Sequence, residues 1–182
     1  LRAAKNDLAL PEIQPVDMTQ DIDGRWLVVA DEGGGGRLVA MSLAGFNAAE
    51  ASQNNFINAF SLGVGRVPRG IDLSYDGNFA YVVVSDGAAE PATSLLRLKT
   101  NPNNLGAYLP EGQPDHDRIR ELPLLPADDV AGGPDAIDVA VTPRDNFAYV
   151  LRRAAGPGSG GDVLIVDVEQ VERMAAGLIV GR

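Results

Sequence analysis

Apolar and polar positions in this chain fall into short stretches that recur. Gly70-Ile-Asp-Leu-Ser74 and Phe79-Ala-Tyr-Val-Val-Val84 are rich in β-branched and aromatic residues, and Asp76-Gly77-Asn78 lies between them. Two such runs around an Asp-Gly turn predict a β-hairpin. The second run is apolar at nearly every position, which predicts a strand buried on both faces between neighbouring sheets.

The hairpin pattern repeats three times. Pro15-Val-Asp-Met-Thr-Gln-Asp-Ile-Asp-Gly-Arg-Trp-Leu-Val-Val29 aligns with Pro68-Arg-Gly-Ile-Asp-Leu-Ser-Tyr-Asp-Gly-Asn-Phe-Ala-Tyr-Val82. Both align with Pro134-Asp-Ala-Ile-Asp-Val-Ala-Val-Thr-Pro-Arg-Asp-Asn-Phe-Ala-Tyr-Val150. Trp26, Phe79 and Phe147 fall in register, 53 (79 minus 26) and 68 (147 minus 79) residues apart, so each unit is sheet-sized with variable loops. Counted from its proline, the third copy has two extra residues before the aromatic, which predicts a bulge or longer turn there. Third strands are predicted at Arg37–Ser42, Ser94–Lys99 and Asp162–Val168, and fourth strands at Asn58–Leu62, Ile119–Leu124 and Gly177–Val180. The fold class is therefore all-β, with about three four-stranded antiparallel sheets. Trp26, Phe79 and Phe147 are expected to be buried at equivalent places.

These units resemble the YVTN, lactonase-like family of β-propeller repeats. The matching residues are Pro68, Gly70, Ile71, Ser74, Asp76, Gly77, Tyr81 and Val82, with Pro143, Phe147, Tyr149, Val150 and Ile165-Val166-Asp167 in the third copy. The first copy departs from the pattern, with Trp26-Leu27-Val28 in place of Phe-Ala-Tyr. The resemblance implies blades at about 14–66, 67–132 and 133–182, with 1–13 as the outer strand of a preceding blade. Val180-Gly181-Arg182 repeats the Val64-Gly65-Arg66 that leads into Val67-Pro68. The expectation is an arc cut from a six- to eight-bladed ring, since propellers close with about four to eight blades.

Composition narrows the function classes. A formal charge of −10 disfavours nucleic-acid binding, which depends on Lys and Arg neutralising phosphates. With no cysteine, disulfides, thiolate nucleophiles, Cys-ligated metals and c-type haem attachment are excluded within the chain. No apolar run has the length of a membrane helix. The 21 glycines and 12 prolines are dispersed, as expected for many short strands joined by turns. The start at Leu1 suggests a processed or excised N-terminus.

Candidate chemistry is sparse. The single histidine lies in Asp115-His116-Asp117, whose types suit a divalent metal or acid–base work. Adjacent residues in extended chain point to opposite faces, which favours a solvated loop instead. Gly158-Ser-Gly-Gly-Asp162 partly matches a calcium-binding repeat but occurs once, so Gly156 to Gly161 is read as a loop tolerant of substitution. Gly33 to Gly36 lacks the Lys-Ser/Thr of a phosphate cradle and is read as a hairpin turn. Asp31-Glu32, Asp86 and Asp128-Asp129 are acidic loop positions, solvated by default, with calcium the alternative.

In propellers the loop leading into each innermost strand opens on the central channel. Here it carries Arg66 and Arg69, with Arg182 in the place of Arg66 before a further blade. Guanidinium groups there would hold carboxylates or phosphates, or else make salt bridges between blades. Three functions remain. The leading one is a non-catalytic binding or scaffold module of a secreted, periplasmic or surface protein. The others are part of a propeller enzyme such as a lactonase-like hydrolase, and a propeller accompanying a redox protein. No cofactor is expected. The expected partners are a protein or small anionic ligand and the remaining blades, in a periplasmic or extracellular location.

Overall fold

The computed structural model describes residues 14–43, 56–63, 65–87, 94–100, 119–124, 135–153, 160–168 and 178–181. Among them, three antiparallel sheets of four strands each follow one another along the chain. The first contains β1 (Pro15–Gln20), β2 (Trp26–Asp31), β3 (Arg37–Ser42) and β4 (Phe56–Ser61). The second contains β5 (Val67–Leu73), β6 (Phe79–Ser85), β7 (Ser94–Lys99) and β8 (Ile119–Pro123). The third contains β9 (Asp135–Val141), β10 (Phe147–Arg153), β11 (Asp162–Asp167) and β12 (Leu178–Gly181). In every sheet the spatial order follows the chain order. This is the meander expected of propeller blades, and the glycine run Gly33–Gly35 forms a single 3₁₀ turn between β2 and β3.

One turn design recurs in all three hairpins. The residue five before each aromatic accepts that aromatic's N–H through its side chain: Asp21 from Trp26, Ser74 from Phe79, and Thr142 from Phe147. The left-handed position is filled by Gly24 (φ 66°), Gly77 (φ 70°) and Asp145 (φ 55°). Glycine is unstrained in that region, and aspartate is one of the few other residues that tolerates it.

The core forms two layers between three sheets. Trp26, Val28 and Ala30 of β2 pack with Ala80, Val82 and Val84 of β6. The opposite face of β6, Tyr81 and Val83, packs with Ala148 and Val150 of β10. Successive side chains of a strand point to opposite faces, so the unbroken apolar run of β6 serves both layers.

Two sequence expectations change here. First, Trp26 is buried, but Phe79 and Phe147 are half-buried. The face bearing Trp26 is covered by the second sheet, and Phe79 lies under the Arg97 guanidinium, 3.5 Å from its ring centre. Phe147 is on the face of β10 opposite Ala148 and Val150, turned away from the second sheet. Second, the third copy has no longer turn. Pro15, Pro68 and Ala136 each stand eleven residues before the aromatic (26 minus 15, 79 minus 68, 147 minus 136) and next to one displaced residue: Val16, Arg69 or Ile137. The bulge is thus common to all three, and the two extra residues, Pro134 and Asp135, come before it, Asp135 as the first residue of β9, paired with Arg153. Proposed segment 1–13 lies outside the described residues.

The tolerant-loop expectation also needs correction at one end. A Cβ on Gly161 would lie 2.4 Å from the Arg152 carbonyl oxygen. The β10–β11 connection requires glycine there because backbone passes too close for a side chain. Residues 156–159 lie outside the described residues.

Candidate functional site

The inner strands β1, β5 and β9 stand side by side, as Gly70 shows: a Cβ there would be 2.7 Å from the Asp138 Cα. Each of these strands carries an aspartate, and all three use the first carboxylate oxygen alike. Oδ1 of Asp17, Asp72 and Asp138 accepts the N–H of Met18, Leu73 and Val139 respectively. Oδ2 of Asp17 and of Asp72 reaches the next sheet, accepting the N–H of Ile71 and of Val141, each at 2.8 Å. Thr19 Oγ1 also donates to Asp72 Oδ1 at 3.2 Å. Charge-assisted bonds of this kind are among the stronger hydrogen bonds. Burial pushes the Asp138 carboxyl above the usual carboxylate range, and the nearby charges of Asp17 and Asp72 add to it against the Val139 N–H. The residue as a whole is nevertheless exposed, so it sits at the rim of the sheet contact rather than within it.

This row escaped the sequence reading, although Ile71-Asp72 and Ile137-Asp138 repeat in the sequence. The repeat misleads. Asp72 pairs with Tyr81, whereas Asp138 pairs with Leu151 and so occupies the ladder position of Gly70 and Asp17.

The arginines expected at the channel mouth are engaged by carboxylates. Arg66 grips Glu121 with both terminal nitrogens, at 2.8 and 2.9 Å, and its Nε lies 3.2 Å from Asp86. The hydrogen bonds to Glu121 raise the Arg66 pKa, against partial burial. The same bonds lower that of Glu121, with help from Ser94. A Cβ on Gly36 would lie 1.5 Å from the Arg66 carbonyl oxygen, so the backbone of the first sheet abuts the loop that carries this arginine. Arg69 sits at the β5 bulge with Nη1 3.9 Å from Glu32 of the first sheet. Arg182, Asp115, His116, Asp117 and Asp128-Asp129 lie outside the described residues.

Of the positions expected in solvated acidic loops, Asp31 instead ends β2 and is fully buried, accepting the N–H groups of Gln14 and Gly33 and the N–H of Arg37 Nε, the last at 2.6 Å. Among the described residues, no group of three or more His, Asp or Glu side chains is placed to hold a metal ion. The carboxylates that converge do so on backbone N–H groups and guanidinium groups, an arrangement that joins strands and sheets.

The fold has relatives among solved structures. A periplasmic gluconolactonase of Pseudomonas aeruginosa superposes with a TM-score of 0.52 over 93% of this chain and 40% of its own, at 20% identity. A β-propeller domain of Cps50 (Swd1) from Myceliophteria thermophila gives 0.55 over 93% and 43%, at 12% identity. A functionally unknown protein from Desulfotomaculum acetoxidans gives 0.54 over 87% and 39%, at 18% identity. The three sheets are therefore blades of a β-propeller, and the chain spans about two fifths of the length of these structures. No family model and no curated protein matches it.

Proposed function

We propose that the chain is a non-catalytic section of a YVTN-type propeller, serving as a binding scaffold in a protein that works outside the cytoplasm. The observation that carries this reading is the Arg66–Glu121 pair, bidentate and supported by Asp86. A guanidinium fork matched to a carboxylate is a positioning device. It spends the charge at the loop end on internal structure, and the inner-strand aspartates do the same with backbone N–H groups. Fold likeness at this identity speaks to architecture and not to chemistry.

A lactonase is the second reading, favoured by the likeness to the P. aeruginosa gluconolactonase. Incubating the intact propeller that contains this chain with gluconolactone, with and without added magnesium or calcium, separates the two. The scaffold reading expects the spontaneous hydrolysis rate. A faster rate that disappears in Asp138→Asn or Arg66→Ala, with both variants still folded, overturns it.

A further inference from the structure

The three inner hairpins turn alike. The N–H of Gly24, Gly77 and Asp145 donates to the carbonyl of Asp21, Ser74 and Thr142, each at 2.9 Å, which closes a four-residue turn. The two middle residues of each turn form its tip: Ile22-Asp23, Tyr75-Asp76 and Pro143-Arg144, every one of them exposed. Each tip thus carries one apolar and one charged residue, and the charge changes sign at the third blade.

Turns favour small polar residues, and proline suits the first middle position. Nothing in the turn calls for Ile22 or Tyr75, which are 64% and 57% exposed. The other large apolar side chains exposed among the described residues, Val16, Met18, Tyr149, Leu151 and Val163, sit on β1, β10 and β11, where a neighbouring sheet can cover them. A tip stands at the end of its blade, beyond the reach of a neighbouring sheet.

The second and third tips lie side by side, since the Tyr75 N–H donates to the Asp145 carboxyl. In the first tip, Asp23 is matched by Arg25 at 2.9 Å. The other two charges are left over from the ion pairs within the chain. Asp76 accepts from the neutral donors Ser74 and Asn78, and among the described residues it pairs with no cation, nor does Arg144 pair with a carboxylate. An unmatched carboxylate beside an unmatched guanidinium, flanked by Tyr75 and Pro143, is self-complementary under a two-fold rotation.

We propose that this rim of the propeller binds a second copy of the protein face to face, with Asp76 of each copy paired to the partner's Arg144 and Tyr75 packed on the partner's Pro143. A two-fold axis running radially between the second and third blades brings this about, because it exchanges their tips. Charge selects that arrangement: like tip on like tip would oppose two carboxylates and two guanidinium groups. Tips alone meet, so the interface is small and association depends on concentration. The inference needs the propeller fold but neither the scaffold nor the lactonase reading.

The test is sedimentation equilibrium of the intact propeller that contains this chain. Asp76→Arg and Arg144→Asp each set like charges at both contacts, and each is expected to raise the dimer dissociation constant about tenfold or more. An equimolar mixture of the two variants restores opposite charges at both contacts, and is expected to recover the original affinity as a mixed dimer. The turn admits both changes, because Asp23 and Arg144 fill the place of Asp76 in the other two blades. Tyr75→Ser keeps the backbone bonds of the turn and should also weaken association. A monomer at every concentration overturns the proposal, as does a dimer that all three variants leave unchanged. A mixture that stays monomeric, with both variants folded by circular dichroism, overturns the pairing of Asp76 with Arg144.

Discussion

Arg152 of β10 is buried and donates to both carboxylate oxygens of Asp162 directly across the ladder on β11. The same rung of the first blade holds Asp31 and Arg37 with the charges exchanged, and that of the second blade holds Val84 and Ser94. The rung therefore accepts either polarity. Removing one partner of a buried pair costs far more than the pair contributes. Asp162→Ala is expected to lower stability by about 2 kcal/mol. The exchanged double variant, Arg152→Asp with Asp162→Arg, is expected to recover most of that loss in urea denaturation. A double variant no better than the single one would mean that the rung is not interchangeable.

Asp145 takes the left-handed turn position that Gly24 and Gly77 fill in the other blades. Its Oδ1 is buried and has no hydrogen-bond partner. Burial pushes its carboxyl above the usual range, the Asp76 and Asp72 carboxylates add to this, and the Tyr75 N–H and the Arg97 charge oppose it. Asp145→Gly should stabilise the chain by about 1 kcal/mol from backbone strain alone. The further gain from removing the carboxylate is full above the raised folded pKa. It vanishes as the pH falls to the ordinary aspartate value, where both states are protonated. Urea midpoints at neutral and acid pH would expose a missing trend.

The approach of Gly70 to Asp138 leaves no room for a methyl group. Gly70→Ala is expected to cost about 1 to 3 kcal/mol by pushing β5 and β9 apart. The Ile71 and Val141 amides that bond Asp17 and Asp72 should then exchange faster. Normal exchange at both would show that the strands can yield.

The aromatic trio should respond unequally. Trp26→Ala removes a buried side chain and is expected to cost about 3 to 5 kcal/mol. Phe147→Ala, on the half-buried face of the third blade turned from the second sheet, should cost no more than about 1 to 2 kcal/mol. Equal losses by thermal denaturation would contradict the asymmetry.

Acid should loosen the Arg66 clasp. The hydrogen bonds from Arg66 hold the Glu121 carboxyl below its usual range, so its contribution is present above the ordinary glutamate pKa. That contribution is lost as the pH falls through the lower folded value. The pair is partly exposed, so the effect is below about 1 kcal/mol. Glu121→Gln should lower stability at neutral pH and flatten its acid dependence, which a pH series of urea midpoints would measure.

The hairpins were legible in the sequence because their determinants are local. An Asp-Gly turn between β-branched runs sets β5 and β6, and the same word with Trp26 sets β1 and β2. The third strands were equally plain, since Arg37–Ser42 and Ser94–Lys99 have the observed bounds. The arginine positions were visible too, but not their partners: Glu121 lies 55 residues from Arg66, and no local pattern reports that approach.

The sequence by itself determined the repeat, the all-β class and the two-faced burial of β6, because alternation and turn chemistry act over a few residues. Tertiary structure alone decided which repeated residues are equivalent. Ile71-Asp72 and Ile137-Asp138 read the same, yet pairing sets Asp138 beside the place of Gly70 and Asp17. Each hairpin keeps eleven residues from bulge neighbour to aromatic, and ladder hydrogen bonds enforce that count whatever the letters suggest. Tertiary structure also left Phe147, Tyr149 and Leu151 on a face turned from the second sheet, since burial depends on the neighbour that a strand meets.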